Sequence, residues 1–328
     1  MKVKRTLPYL ALSYCFACAS SSSKPADEPA PTAATASSAA PAPGAKPAAA
    51  SEETAREEVK PPDFADIERP AVPAELTDVG KSVADKNWQS VLDGLTAKKN
   101  EIMRAPLDVK VRAYAMEALA YAAGADDATA EVSYRKVLST MDGADKKLEK
   151  EIGRKTAGFD KRLESLTASY AEAMFFSGER AARKALEMSV PGFDGLAEAD
   201  KAKKHFDTSV KQWAMQREKA IARAAQHYEK ISSLKSPPAA WKVAAAGRIA
   251  QMHADFVAAI ESIPPPDSWK QEPTSQKAYE QYSASYKAAL EPRVKAAKDA
   301  FQKCVQEASA AKRDDAFAKY CKAWLAKH

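Results

Sequence analysis

Apolar residues recur at helical spacing along most of this chain. Leu148, Ile152, Phe159, Leu163, Leu166, Tyr170 and Met174 follow steps of three, four and seven. Phe206, Val210, Trp213, Ile221, Ala224, Tyr228 and Ile231 make a second stripe, and Trp241, Ala245, Ile249, Met252, Phe256 and Ile260 a third. Tyr279, Tyr282, Tyr286, Leu290, Val294, Phe301 and Val305 continue the pattern. Each stripe is what the buried face of an amphipathic helix looks like in sequence. No run alternates with period 2, so the predicted body is all-α. Turn and breaker residues punctuate it at 124–127, 141–144, 191–195, 236–238, 264–266 and 311–314, where helices should end.

Helices joined by short loops pack as antiparallel neighbours. Residues 109–123 followed by 128–141 have the length and small-residue pattern of one tetratricopeptide-like unit. Ala118, Leu119 and Gly124 lie in the first half, and Ala130, Tyr134 and Leu138 in the second. The repeat's Trp and closing Pro are missing, and later helices run longer than a strict ~34-residue period allows. The expected fold is therefore a degenerate tetratricopeptide-like helical-hairpin solenoid.

The N-terminal stretch reads differently. Lys2, Lys4 and Arg5 precede an apolar run at 7–17 and the small residues Ala19 to Ser23, the order of a secretory signal. The run is well short of the ~20 residues that span a bilayer. With Ala17 directly before Cys18, the region resembles a bacterial lipoprotein signal, and that resemblance implies residues 1–18 as signal peptide with Cys18 as the lipidated first mature residue. Cys15 is the alternative site, with Leu12 and Ser13 in place but the bulky Tyr14 where a small residue belongs. An ordinary cleaved signal and a soluble periplasmic product form the other reading. No Asp follows Cys18, so the resemblance implies the periplasmic face of the outer membrane. Residues 19–62 are rich in Ala, Pro and Ser and nearly lack large apolar residues, which predicts a disordered linker. The folded body is then 63–328, with a subdivision near 191–196.

The cysteines bear on compartment as well. Cys304 and Cys321 lie about equally far on either side of a predicted turn near Lys312 and Arg313. Residues equidistant from an antiparallel turn face one another, as a disulfide's Cα separation of about 4.4–6.8 Å requires. A disulfide there implies an oxidising compartment. Two buried thiols in a reduced hairpin are the other reading.

A broader resemblance follows from the last third of the chain. Residues 225–231 (AQHYEKI), Ser236-Pro237, residues 244–249 (AAAGRI), Phe256 and Pro264-Pro265-Pro266 come first. Tyr279, Tyr286, Leu290, Lys295-Ala296, Phe301, Cys304, Cys321 and Trp324-Leu325 complete the series. This combination resembles the C-terminal part of tetratricopeptide-repeat lipoproteins of the gliding-motility and envelope machinery of myxobacteria and relatives. The resemblance implies a non-enzymatic scaffold whose partners are other outer-membrane or periplasmic proteins, with outer-membrane lipid engaged through the anchor.

Little in the sequence points to catalysis. Gly80-Lys81-Ser82 ends like a phosphate-binding loop, but Glu75 stands where the first glycine is required. His205, His227, His253 and His328 are dispersed, and none has metal-ligand spacing with another His or Cys. Carboxylates fall among lysines at helical spacing, the look of solvated helix faces. No cofactor or metal is expected. The formal charge of +6 comes from 50 basic and 44 acidic residues, and with export it argues against nucleic acid. Trp241 and Trp324 read as core rings. Trp269 follows the Pro run in an expected loop and is the candidate partner contact. The competing function is a ligand- or peptidoglycan-binding envelope lipoprotein, which predicts a closed pocket with convergent polar groups rather than an open groove.

Overall fold

The apolar stripes fold as helices in the computed structural model, which describes residues 60–192, 199–265, 268–271, 273 and 275–328; among these there is no strand. The signal, Cys18 and the linker through residue 59 lie outside the described residues. After a 3-10 turn at Phe64–Asp66, a second at Ala74–Leu76 leads into α1 (Thr77–Ala84), α2 (Trp88–Ala97) and α3 (Lys99–Arg104). Then come α4 (Leu107–Ala123), α5 (Asp127–Met141), α6 (Ala144–Ile152) and α7 (Phe159–Leu186). α8 (Ala199–His205) runs through a π-helical turn, Phe206–Val210, into α9 (Lys211–Ser232). α10 (Ala239–Glu261), α11 (Ser268–Gln271), α12 (Gln276–Ala310) and α13 (Ala316–Lys327) complete the chain.

Side-chain caps set several starts. Asn87, Asp126 and Asp315 accept the amide protons of Ser90, Thr129 and Ala318 at 3.2, 3.0 and 3.1 Å, satisfying donors that a helix leaves unpaired. One boundary departs from the apolar pattern. The stripe from Leu148 to Met174 is cut between α6 and α7, where Gly153 (φ 77°) and Gly158 (φ 97°) take up backbone that favours glycine. Leu148 and Phe159 still share one apolar cluster, so the periodicity runs on across the break between the two helices.

The core forms three apolar clusters in chain order. α4 gives Val109, Ala113 and Met116 to the first and Val111, Ala115 and Ala118 to the second. α7 gives Leu166, Ala173 and Phe176 to the second and Ala168, Ala171 and Phe175 to the third. A helix packed by neighbours on more than one side needs apolar residues on those sides and small ones where the neighbours press in. That explains the Ala-rich composition of α4 and α10. At Gly178 an added Cβ would lie 2.6 Å from the Tyr228 ring, and at Gly247 it would lie 2.7 Å from Phe317. Absence of a side chain is what lets α9 close on α7 and α13 on α10.

α4 pairs with α5, α7 with α9, and α10 with α12, while α4–α7, α5–α7 and α9–α10 contacts join one pair to the next. Residues 193–198, within the stretch where a subdivision is expected, lie outside the described residues; α7 and α9 on either side of it pack together within one apolar cluster. Among the described residues no helix is long and apolar enough to cross a membrane.

Candidate functional site

The site is organised around α7, whose two sides differ. On one side Phe175 stacks on Phe64 with centroids 5.6 Å apart and meets Trp241 edge-on at 5.5 Å. One helical turn earlier the fully buried Glu172 accepts from Arg69 Nε at 3.0 Å, Arg112 Nη1 at 3.0 Å and the Tyr134 hydroxyl at 3.2 Å. Arg69 also donates to the carbonyls of Ala65 and Ile67, both at 2.9 Å, and to that of Phe64 at 3.1 Å. Burial lowers the Arg112 pKa, with Glu172 opposing the shift. Burial first and Glu172 second push the Tyr134 hydroxyl well above its ordinary value, so it stays a donor. A buried carboxylate is tolerable only when paired in this way. The network locks the segment before α1 onto α4, α5 and α7, and it offers no accessible group for acid–base work.

A smaller network sits farther along α7. Glu179 accepts from the Tyr228 hydroxyl at 2.7 Å and from Arg248 Nε at 2.8 Å. Burial, then Glu179, holds the Tyr228 phenol well above its usual range.

The other side of α7 is open. α5 and α9 both pack against it, and the space between them is a groove of about 590 Å³. Leu138, Phe176, Ala181, Met188 and Ala220 form its apolar lining, and Arg135, Arg180, Lys184, Arg223 and His227 its basic lining. Glu131 is the acidic member of the lining, so four Arg and Lys charges against one carboxylate leave a formal +3. Glu131 pairs with Arg135 at 2.8 Å and also with Arg180. Burial, then the nearby Lys230, lowers the His227 pKa and keeps its imidazole neutral near pH 7. Such a surface can bind: it joins desolvated apolar area to an excess of fixed positive charge.

Smaller cavities lie elsewhere on the described residues, including one of about 170 Å³ beside Tyr228 and Arg248. One of about 340 Å³ lies over α2 to α5 beside Met103 and Tyr114, and one of about 260 Å³ lies at the π-helical turn beside Met215 and Arg293.

The residues singled out in the sequence are scattered. Cys304 and Cys321 come together, with Sγ–Sγ 2.07 Å and Cα–Cα 6.2 Å, across a turn where Lys312 has φ 52°. Trp269 requires a correction: it is 3% exposed, lies in α11 and meets Tyr282 edge-on at 5.7 Å. The chain after the Pro run forms a helical turn instead of an open loop, and it directs the indole inward. Trp241 is 1% exposed, and Trp324 stacks on Phe301 at 4.0 Å. Gly80, Lys81 and Ser82 lie inside α1 and form no phosphate-binding loop. His205 contacts the Pro191 carbonyl at 3.2 Å, and His328 stacks on Trp324. Among the described residues no group of three or more His, Cys, Asp or Glu side chains could hold a metal.

Sequence reasoning missed both the groove and the Glu172 network. The groove cations belong to three helices far apart in the chain. For Glu172 a signal existed: it lies four residues after Ala168 and three before Phe175, in phase with a buried face. No family model, no curated protein and no solved structure matches the chain.

Proposed function

We propose that this chain is a non-enzymatic scaffold of the cell envelope. It is lipidated at Cys18, held at the periplasmic face of the outer membrane by the linker at 19–62, and built as a degenerate tetratricopeptide-like hairpin array. It binds other envelope proteins, in a gliding-motility or trans-envelope complex. The observation that carries this reading is the open groove along α7, flanked by α5 and α9 and lined by both cations and apolar side chains. Stacked helical pairs generate elongated surfaces of this kind. Two further features support it: the clusters follow one another in chain order, and the Cys304–Cys321 pair suits an oxidising compartment.

The groove favours protein binding over capture of a small ligand or a peptidoglycan fragment, which calls for an enclosed pocket with converging polar groups. Affinity purification of the full chain from envelopes in mild detergent tests the proposal. Stoichiometric recovery of defined envelope proteins is the expected result; recovery of the bait alone, or retention on purified peptidoglycan sacculi in their place, contradicts it.

A further inference from the structure

Resting on the scaffold reading, we infer that the groove over α7 seats an acidic amphipathic helix of a partner protein, with its apolar face on Ala181 and Ala220 and its carboxylates on Arg135, Lys184 and Arg223. Shape is the first argument. Ser177, Arg180, Ala181 and Lys184 line the groove at helical spacing, spanning roughly 10 Å of α7, about two turns of an incoming helix. The walls are themselves helices, α5 and α9, so a further helix between them continues the packing that already joins each to α7. Ala181 and Ala220 present little more than backbone there, which permits the 8–10 Å (approximately) axis separation of packed helices.

Charge is the second argument. Glu131 is shared between Arg135 and Arg180, so one carboxylate stands against two guanidinium groups and the α5 flank keeps a surplus positive charge. Lys184 and Arg223 line the groove, and among the described residues neither has a carboxylate within ion-pair distance. An occupant with carboxylates along both flanks of an apolar face answers this pattern, the helix-in-groove mode with i, i+3, i+4 and i+7 anchors. A membrane of anionic lipid is the wrong shape. It presents a flat sheet of headgroups and leaves the recessed apolar floor at Ala181 and Ala220 uncovered.

The test uses the full mature chain in mild detergent and a fluorescein-labelled peptide of Leu and Ala on one face with Glu on both flanks. A scrambled peptide of equal composition and vesicles containing phosphatidylglycerol serve as comparisons. The expected result is saturable binding that falls about tenfold or more for the scrambled peptide and for R135E/R223E, the scale expected when charge pairs at an interface are reversed. A181W, which fills the floor without changing charge, should lose binding as well. Arg135 and Arg223 are exposed, so circular dichroism and melting of R135E/R223E should match the parent chain. Equal affinity for the scrambled peptide overturns the inference, as does unchanged binding by both variants, or a preference for the vesicles that R135E/R223E abolishes. Co-purification separates the two claims. Envelope proteins retained by the wild type and by R135E/R223E alike sink the groove assignment and leave the scaffold standing, whereas none with either chain removes the scaffold.

Discussion

Glu172 shows how much a single acidic side chain can organise in this molecule. Its carboxylate holds Arg69, Arg112 and Tyr134 together in the interior. Glu172→Ala would leave two guanidinium groups buried with no counter-charge, a loss of about 3–5 kcal/mol for breaking a buried pair. Urea denaturation followed by circular dichroism should report it as a lower midpoint. Histidine sets a pH dependence. Burial lowers the His253 pKa, with Glu218 opposing, and burial lowers that of His227 with Lys230 assisting. Between those lowered values and the ordinary value of about 6.5, the unfolded chain binds protons that the folded chain does not. Stability therefore falls as pH drops below that value. Melting scans from neutral to mildly acidic pH should show the decline, and His253→Gln should flatten it. At this scale the sequence was only partly legible. Cys304 and Cys321 were placed by symmetry about a turn, which depends on chain spacing alone. Trp269 was misread because a proline run was taken to mean a loop, while the tertiary contact with Tyr282 folds the next residues back.

Among the elements, periodicity revealed helices wherever one face is buried and the other wet. It was least informative for α4 and α10, whose apolar residues meet neighbouring helices on more than one side, and across Gly153 and Gly158, where phase persists through the break. The π-helical turn at Phe206–Val210 left no mark on the stripe: Phe206 and Val210 are buried with Trp213. Two expectations belong here. Gly178→Ala should push a methyl group into the Tyr228 ring, strain the Tyr228–Glu179 bond and cost about 1–3 kcal/mol by overpacking, read as a lower melting temperature. Replacing Cys304 and Cys321 with Ser should lower stability by about 3 kcal/mol, since closing a loop of this order restricts the unfolded chain. Reducing agent should lower the wild-type midpoint towards that of the variant and leave the variant unmoved.

For the whole molecule, the helical class could be read from sequence, but the groove proposed as a binding surface could not. Arg135, Arg180, Lys184 and Arg223 resemble solvated helix faces one by one and become a basic groove only when α5 and α9 close on opposite flanks of α7. The same α7 buries Glu172 and Phe175 on its other side against the segment before α1, so the groove floor rests on a pinned support. A surface used for partners should capture them in place. Photo-crosslinking in intact cells, with p-benzoylphenylalanine at position 227 on the groove's α9 wall or at the exposed position 150 on α6, tests this most directly. Discrete adducts with envelope proteins from position 227 and none from position 150 are predicted; no adduct at 227, or the same adducts from both positions, would contradict the account.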